Sequence, residues 1–360
     1  MKVLILNGPN LNHLGSREPE IYGSETLADL QQSVSGWGTA LGIETEFLQS
    51  NHEGALIDAI QQSEYDGIVI NPGALTHTSR ALADALRSVE APVAEVHISN
   101  IKEREVWRAE SVISDACVST IYGRGISGYR DALRHLANRA AGPFETVRYG
   151  PHAENVGDLR IGERGLVVLV HGGFWRQEWQ RDTTESLAVD LTERGFNTWN
   201  IEYRRIGNGG GWPGSAHDVL MALDFAPQLG LEVEKVAVVG HSAGGHLALW
   251  SVGRSQTEIS QVVAMAPIND LVRHAESGMY GATEARALLE SGAPPVSDPG
   301  EIATILAHGE DDRHVPFEHS SELAIRSGID LITTPGGHFD LLEPRSDSWQ
   351  RIVEAIDRSI

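Results

Sequence analysis

Short apolar runs alternate with amphipathic stretches along the first 139 residues of the chain. A short apolar run predicts a buried strand, whereas an apolar residue at every third or fourth position predicts a helix. The predicted strands are 3–6, 44–48, 67–70, 93–96 and 118–121, and the predicted helices are 26–41, 53–62, 79–88 and 128–138. This alternation predicts an α/β domain with a parallel sheet, and five strands favour a flavodoxin-like strand order.

A second alternation of the same kind follows the chain breaker Ala-Ala-Gly-Pro at 140–143. Its predicted strands are 145–149, 157–161, 166–170, 197–201, 236–239, 261–265, 303–307 and 330–333. We therefore predict two α/β domains, residues 1–139 and residues 144–360, joined by a linker at 140–143.

Charge and composition narrow the classes of partner. The formal net charge is −22, and both halves of the chain are acidic, which disfavours nucleic acid and anionic membranes as partners. The single cysteine, Cys117, excludes a disulfide framework and any cysteine-based metal cluster. Because no apolar run reaches membrane length and no leader precedes the first strand, we expect a cytoplasmic protein. We expect small-molecule substrates, no metal and no cofactor.

Polar residues follow the predicted strands of the first domain. They lie in four segments, 7–23, 51–54, 71–79 and 95–100. Ligands of open α/β sheets bind where the strands end, so Asn71, His77 and His97 should meet at one edge. The first segment adds Arg17 and Tyr22. Tyrosine is a poor base at its ordinary pKa of about 10, but a nearby arginine favours the phenolate.

In this order and spacing, the four segments resemble type II 3-dehydroquinate dehydratase across residues 1 to about 139. The resemblance implies dehydration of 3-dehydroquinate to 3-dehydroshikimate, a reaction of shikimate and quinate metabolism, and assembly into a homododecamer. It makes Tyr22 the base, assisted by Arg17, His97 the general acid, and Asn10 the residue that orients water or His97 near the enolate. The positions implied to bind substrate are Asn71, His77, Asp84, Ile98, Ser99 and Arg108.

The second domain contains Gly240-His-Ser-Ala-Gly244 between a β-branched run and an apolar helix. A Gly-x-Ser-x-Gly motif in this setting predicts a nucleophile elbow that carries Ser242. Asp312 and His338 follow later predicted strands, and the order Ser, Asp, His is that of the α/β-hydrolases. Asp311 is the alternative acid.

These motifs resemble an α/β-hydrolase of the esterase branch over residues 144–360, most narrowly the kynurenine formamidase-like group, which carries His-Gly-Gly-aromatic-Trp as at 171–175. The resemblance implies serine-dependent hydrolysis of an ester or amide, with an oxyanion hole formed by the backbone N–H groups of Gly173, Phe174 and Ala243. Trp175, Trp179 and Trp212 either line an aromatic acyl pocket or belong to the core. Residues 272–300 are interpreted as an insertion over this site.

The sequence therefore predicts a bifunctional enzyme, a dehydratase joined to a serine hydrolase. Two alternatives remain open at this point: a catalytically idle hydrolase-fold docking module, and a hydrolase that acts as a kynurenine formamidase. Histidine and aspartate residues between 308 and 319 suggest metal ligands, but the position of Asp312 after a strand explains that cluster better.

Overall fold

The computed structural model describes residues 1–62, 64–232, 235–297 and 299–360, and these form two compact units, Met1–Ala141 and Gly142–Ile360. The last helix of the first unit ends at Ala141, so it continues into the predicted linker. In the described ranges no helix combines the length and the apolar character that crossing a membrane requires.

The first unit is built on a five-stranded, all-parallel sheet with the order β2-β1-β3-β4-β5. Its strands are β1 (Lys2–Asn7), β2 (Glu44–Gln49), β3 (Gly67–Asn71), β4 (Val93–His97) and β5 (Ser119–Tyr122). Its helices are α1 (Pro19–Tyr22), α2 (Leu27–Ala40), α3 (Glu53–Gln61), α4 (Arg80–Arg87) and α5 (Ser127–Ala141). The predicted fold class is confirmed, and each predicted strand lies within two residues of the observed one.

Both faces of this sheet are covered, which explains why β3 and β4 are buried along their whole length. Helices α2 and α5 cover one face through residues such as Leu30 and Leu133, and α3 and α4 cover the other through Leu56 and Leu86. A capping box at Thr26 begins α2. The carboxyl ends of β1, β3 and β4 therefore meet at one edge, where the chain passes into its loops.

Helix α1 is the element that the sequence pattern missed. It has a single turn, begins with Pro19 and ends with Tyr22. One turn is too short to show a hydrophobic period, although proline is favoured at the first helical position. This turn sets the position of the Tyr22 side chain.

The second unit contains an eight-stranded sheet with the order β13-β12-β11-β10-β8-β9-β7-β6. The pairs β6–β7 and β7–β9 are antiparallel, and all other pairs are parallel. The strands are β6 (Glu145–Arg148), β7 (Val156–Arg160), β8 (Arg164–Val170), β9 (Phe196–Ile201), β10 (Val236–His241), β11 (Gln261–Met265), β12 (Thr304–Gly309) and β13 (Asp330–Thr334). The helices are α6 (Glu185–Glu193), α7 (Gly214–Phe225), α8 (Ala243–Val252), α9 (Leu271–Glu276), α10 (Ala282–Glu290), α11 (Glu318–Ser327) and α12 (Asp347–Asp357).

The predicted insertion at 272–300 is the pair α9 and α10 with the extended segment that follows. An antiparallel β-bridge between Asp270 and Val296 pairs the two ends of this segment. Asp298, which falls in the predicted insertion, lies outside the described residues. The ring of Tyr280, between the two helices, packs edge-on against Phe174 with the ring centroids 4.8 Å apart.

Candidate active sites

A pocket lies at the carboxyl edge of the first sheet. Nine residues predicted from the sequence line it: Asn10, Arg17, Tyr22, Asn71, His77, His97, Ile98, Ser99 and Arg108. Parallel topology explains this convergence, because Asn71 and His97 are the last residues of β3 and β4. Arg104, which the sequence analysis did not single out, also lines the pocket.

The Tyr22 hydroxyl accepts a hydrogen bond from Nη1 of Arg104 at 2.6 Å. Arg17 lies against the ring of Tyr22 rather than at its hydroxyl. Its guanidinium carbon lies 5.6 Å from the centroid of the Tyr22 ring, and its Nε donates to Glu18 at 3.1 Å. Two arginines thus flank Tyr22, and Arg104 is the one that contacts its oxygen. Arg104 thus places a cation at the oxygen of the predicted base.

His97 donates from Nε2 to Oε1 of Glu95 at 2.8 Å, and both residues are buried. Glu95 also accepts from the hydroxyls of Ser111 and Thr120, at 2.8 Å and 3.2 Å, and from that of Thr76. Burial by itself raises the pKa of Glu95, but the hydrogen bonds from His97 and the hydroxyls outweigh it and lower the pKa. Glu95 is therefore a carboxylate, and the Nδ1 atom of His97 is left for the substrate.

The loop after β4 forms one wall of the pocket. His77 contributes its Nδ1 to a hydrogen bond with the carbonyl of Glu110 at 2.7 Å, which leaves Nε2 for the pocket. Burial lowers the pKa of His77. The Trp107 ring stands edge-on to His77 at 5.1 Å, and the Arg108 guanidinium lies 4.2 Å from the Trp107 ring centroid. Trp107 thus connects two predicted binding residues.

Asp84 is the predicted binding residue that this unit does not bring into the pocket. It is exposed on α4 and lines a separate surface hollow with Arg80, Arg87 and Glu110. Asn10, by contrast, lies at the rim of the pocket in the left-handed region at φ 69°, where its N–H donates to the side chain of Asn51 at 2.9 Å.

Ser242 of the second unit occupies a sharp turn between β10 and α8. Its backbone is at φ 54° and ψ −118°, a strained conformation for a residue with a side chain. Gly244 is required here, because a Cβ at that position would meet the Val170 carbonyl oxygen at 2.2 Å. Ser242 is fully buried, and its Oγ has no hydrogen-bond partner within the described parts of the chain.

His338 and Asp312 form a buried pair beside this turn. Nδ1 of His338 donates to Oδ2 of Asp312 at 2.7 Å, while Oδ1 of Asp312 accepts the N–H groups of His314 and Val315. Burial raises the pKa of Asp312, but hydrogen bonds from His308 and His338 outweigh it and hold the pKa well below its usual range. Asp311, the alternative acid, is exposed and its side chain is not part of this pair.

Burial lowers the pKa of His338, and Asp312 raises it in part. A neutral His338 is able to accept a proton through Nε2, since Nδ1 is already bonded to a carboxylate. His241 fixes the position of its backbone by donating from Nε2 to the His338 carbonyl at 3.0 Å. The pair thus has the tautomer that a general base needs.

The loop after β8 has positive φ at three consecutive residues, Gly173, Phe174 and Trp175. Gly173 is at φ 110°, and a Cβ there would meet that of Trp179 at 2.0 Å. A small pocket adjoins the loop and is lined by Gly172, Gly173, Phe174, Trp179, Thr183, His241, His338, Phe339 and Leu342. Of the three predicted tryptophans, Trp179 lines this pocket, whereas Trp175 is fully buried and packs on His246.

Two site residues were missed at the sequence level, and only one had a signal. Glu95 stands two positions before His97, and alternate residues of a strand face the same side. That spacing could have identified it as the partner of His97. Arg104 lies in a loop, 82 residues away from Tyr22 along the chain, and no local pattern connects the two.

Two family models match separate parts of the chain. The family described as Dehydroquinase class II matches residues 1–137, and the family described as BD-FAE matches residues 160–326. The catabolic 3-dehydroquinase of Aspergillus oryzae is 53% identical over 137 residues, which are 38% of this chain and 90% of that protein. The 3-dehydroquinate dehydratase of Bacillus subtilis is 51% identical over 39% of this chain and 95% of its own length.

Esterase B of Lactobacillus rhamnosis is similar to the second unit in structure. It is 19% identical, covers 64% of this chain and 93% of its own chain, and has a TM-score of 0.52, which shows the fold alone. The relatives of the first unit are matched over nearly their whole length, at an identity that shows the family. The chain therefore belongs to the type II dehydroquinases through its N-terminal domain, a 3-dehydroquinate dehydratase, and carries an esterase-like α/β-hydrolase domain in its C-terminal part.

Proposed function

We propose that Tyr22 and His97 divide the acid–base chemistry of the dehydratase between them. As the phenolate, Tyr22 takes a proton from the carbon beside the ketone of 3-dehydroquinate, and an enolate forms. His97 then protonates the departing hydroxyl, so that water and the enone 3-dehydroshikimate leave. The observation that carries this assignment is the hydrogen bond from Arg104 to the Tyr22 oxygen, at the edge of a pocket that also contains His97.

The Glu95 carboxylate supports the role of His97. The carboxylate accepts the proton of Nε2 and so holds the ring in one orientation and tautomer, which leaves Nδ1 for the substrate. Asn71, His77 and Arg108 offer hydrogen-bonding groups for the hydroxyls and the carboxylate of the substrate, and Asn10 lies where a water near the enolate would be oriented.

The Tyr22→Phe variant tests this assignment. It should lose turnover, followed by the ultraviolet absorbance of the enone, but retain ligand binding, because only the phenolic oxygen is removed. Tyr65→Phe is a matched control, since Tyr65 does not line the pocket. A Tyr22→Phe rate above about a tenth of the wild-type rate would correspond to a loss below ~1.4 kcal/mol and would refute the role of Tyr22.

For the second domain we propose a serine esterase with Ser242 as nucleophile, His338 as general base and Asp312 as its partner. Ser242 would attack the ester carbonyl, and His338 would accept its proton and pass it to the leaving alcohol; water would then release the acyl group. The Asp312–His338 hydrogen bond beside a strained serine turn carries the proposal. The N–H groups of Gly173, Phe174 and Ala243 are the proposed oxyanion hole.

A fluorophosphonate probe tests the serine directly. The wild-type chain should form an adduct at Ser242, and Ser242→Ala should not. Ser251 is another fully buried serine, near the C-terminal end of α8. The Ser251→Ala variant should therefore label like the wild type. If the probe leaves Ser242 unmodified in the wild type, the domain is instead an idle docking module.

The proposed substrate is an ester of a hydroxy acid with an aromatic acid. Phe174, Trp179 and Phe339 line the pocket beside His338, and these rings suit a planar acyl group. Such an ester of quinate or shikimate would release an acid that reaches the dehydratase after oxidation. A panel of chlorogenate-like esters and N-formylkynurenine tests this: a hundredfold preference for N-formylkynurenine, ~2.7 kcal/mol, would make the domain a formamidase.

We also propose that the chain assembles as other type II dehydroquinases do, into a dodecamer built from trimers. Light scattering of the full chain should give a mass far above that of a monomer. A monomer would refute the assembly and leave the acid–base assignment unaffected.

A further inference from the structure

Two buried histidines of the second domain each have one ring nitrogen without a partner. They are His274 on α9 and His319 on α11, and both side chains are almost inaccessible to solvent. Within the described parts of the chain, Nδ1 of His274 and Nε2 of His319 make no hydrogen bond. An unsatisfied buried polar atom costs about 1–3 kcal/mol, so native proteins rarely retain such atoms without an occupant nearby.

The partners of the other two ring nitrogens determine the tautomers. Nε2 of His274 lies 3.1 Å from the Tyr280 carbonyl, which can only accept, so this nitrogen carries the proton and Nδ1 is an acceptor. Nδ1 of His319 accepts the backbone N–H of Asp270 at 3.4 Å, so its proton is on Nε2, which is a donor. Both rings are neutral, since burial lowers the pKa of His274 and lowers that of His319 to about 3.

The two free nitrogens are therefore complementary to a hydroxyl group. A hydroxyl can donate its proton to His274 and accept from His319 at the same time. The two rings pack edge to face, with their centroids 5.8 Å apart at an interplanar angle of 65°, so both unpartnered nitrogens belong to one buried cluster.

This histidine pair adjoins the proposed catalytic groups. His274 stacks on Phe174 at 6.1 Å, and Phe174 stacks on His338 at 6.3 Å. The segment that contains Asp270, the donor to His319, is also hydrogen-bonded to the serine. The N–H of Ile268, two residues before Asp270, donates to the Ser242 carbonyl at 3.3 Å. Asn269 and Ser297 add two further buried polar atoms without partners among the described residues.

We propose that the pair formed by His274 and His319 binds a hydroxyl group of the ester substrate, so that this domain selects esters bearing a free hydroxyl. The inference rests on the proposed esterase function and names its substrate class. The hydroxyl belongs either to the acyl group, as in a phenolic acid, or to the alcohol, as in a polyhydroxylated acid. Selection of this kind is strong in principle, because a substrate without the hydroxyl leaves both nitrogens unsatisfied.

Pairs of substrates show whether the recognised hydroxyl belongs to the acyl group or to the alcohol. Methyl 4-hydroxycinnamate is compared with methyl cinnamate, and a quinate ester of cinnamic acid with methyl cinnamate, by kcat/KM of the full chain. We expect a preference of about tenfold or more for the hydroxylated member of one of these pairs, as one or two buried hydrogen bonds imply. Equal kcat/KM values within each pair would overturn the proposal.

Substitutions of His274 and His319 test whether these two residues cause the preference for hydroxylated substrates. His319→Phe and His274→Phe should reduce the ratio of hydroxylated to unhydroxylated kcat/KM toward one. His319→Gln and His274→Asn, which keep a polar atom near the ε and δ positions, should restore part of it. His217→Phe changes an exposed histidine of the same domain and should keep the wild-type ratio. If His319→Phe and His274→Phe lower stability but leave the ratio unchanged, the pair holds only a structural water.

Calorimetry on Ser242→Ala makes the test independent of the esterase chemistry. This variant should bind 4-hydroxycinnamate or quinate more tightly than cinnamate, and His319→Phe in the same background should abolish the difference. If the fluorophosphonate probe fails but this difference is present, the esterase proposal is wrong and the hydroxyl site stands. If labelling succeeds and no difference is present, the hydroxyl site is wrong.

Discussion

Replacing Glu95 by glutamine tests whether the carboxylate is needed behind His97. The side chain is fully buried and accepts hydrogen bonds from His97 and from three hydroxyls. Glu95→Gln keeps the shape of the side chain but replaces the charged acceptor of the His97 hydrogen bond by a neutral amide. A hydrogen bond to a charged group contributes about 1.5–3 kcal/mol, so kcat of the dehydratase should fall about 10- to 150-fold. KM should change little, since Glu95 does not line the pocket.

The assay follows the enone absorbance over a range of substrate concentrations, with circular dichroism to show that the variant is folded. Thr120→Val is the matched control, because it removes one hydroxyl from Oε2 of Glu95 and leaves the bond to His97 in place. Its kcat should stay within about threefold of wild type, as expected for one weaker hydrogen bond. A folded Glu95→Gln enzyme with kcat within that same range would refute the reasoning.

Three further predictions concern single contacts. Arg104→Gln should lower dehydratase kcat about tenfold or more, with Arg104→Lys less affected, because the cation on the Tyr22 oxygen is lost; equal kcat values in a steady-state assay would argue against it. Gly173→Ala should reduce hydrolase turnover about a hundredfold and spare dehydratase turnover, since the added Cβ meets Trp179; unchanged ester hydrolysis would contradict this. Burial lowers the pKa of His246 to about 3, so between pH 6.5 and pH 3 this residue binds a proton in the unfolded chain but not in the folded chain, and its own contribution lowers the free energy of unfolding by about 1.4 kcal/mol per pH unit as the pH falls. Denaturant titrations of His246→Asn should show a shallower slope, and an unchanged slope would exclude this histidine.

The sequence determined most of the elements and the positions at which the strands end. Apolar runs such as 166–170 are visible as strands because a parallel strand covered on both faces must be apolar at every position. The convergence of Asn71 and His97 also followed from sequence, since parallel strands end at one edge. The serine turn was predictable for a local reason: Gly240 and Gly244 are needed wherever the backbone reverses so tightly.

Only the tertiary structure decided the partners of the side chains. Arg104, rather than Arg17, contacts the Tyr22 oxygen, and the choice depends on how two loops pack. Asp84 lies on the face of α4 that lines a surface hollow, so its side chain is not part of the pocket. The His274–His319 contact joins α9 to α11 through ring packing. Such contacts depend on distances across the fold, whereas hydrophobic periodicity reports only the burial of each segment.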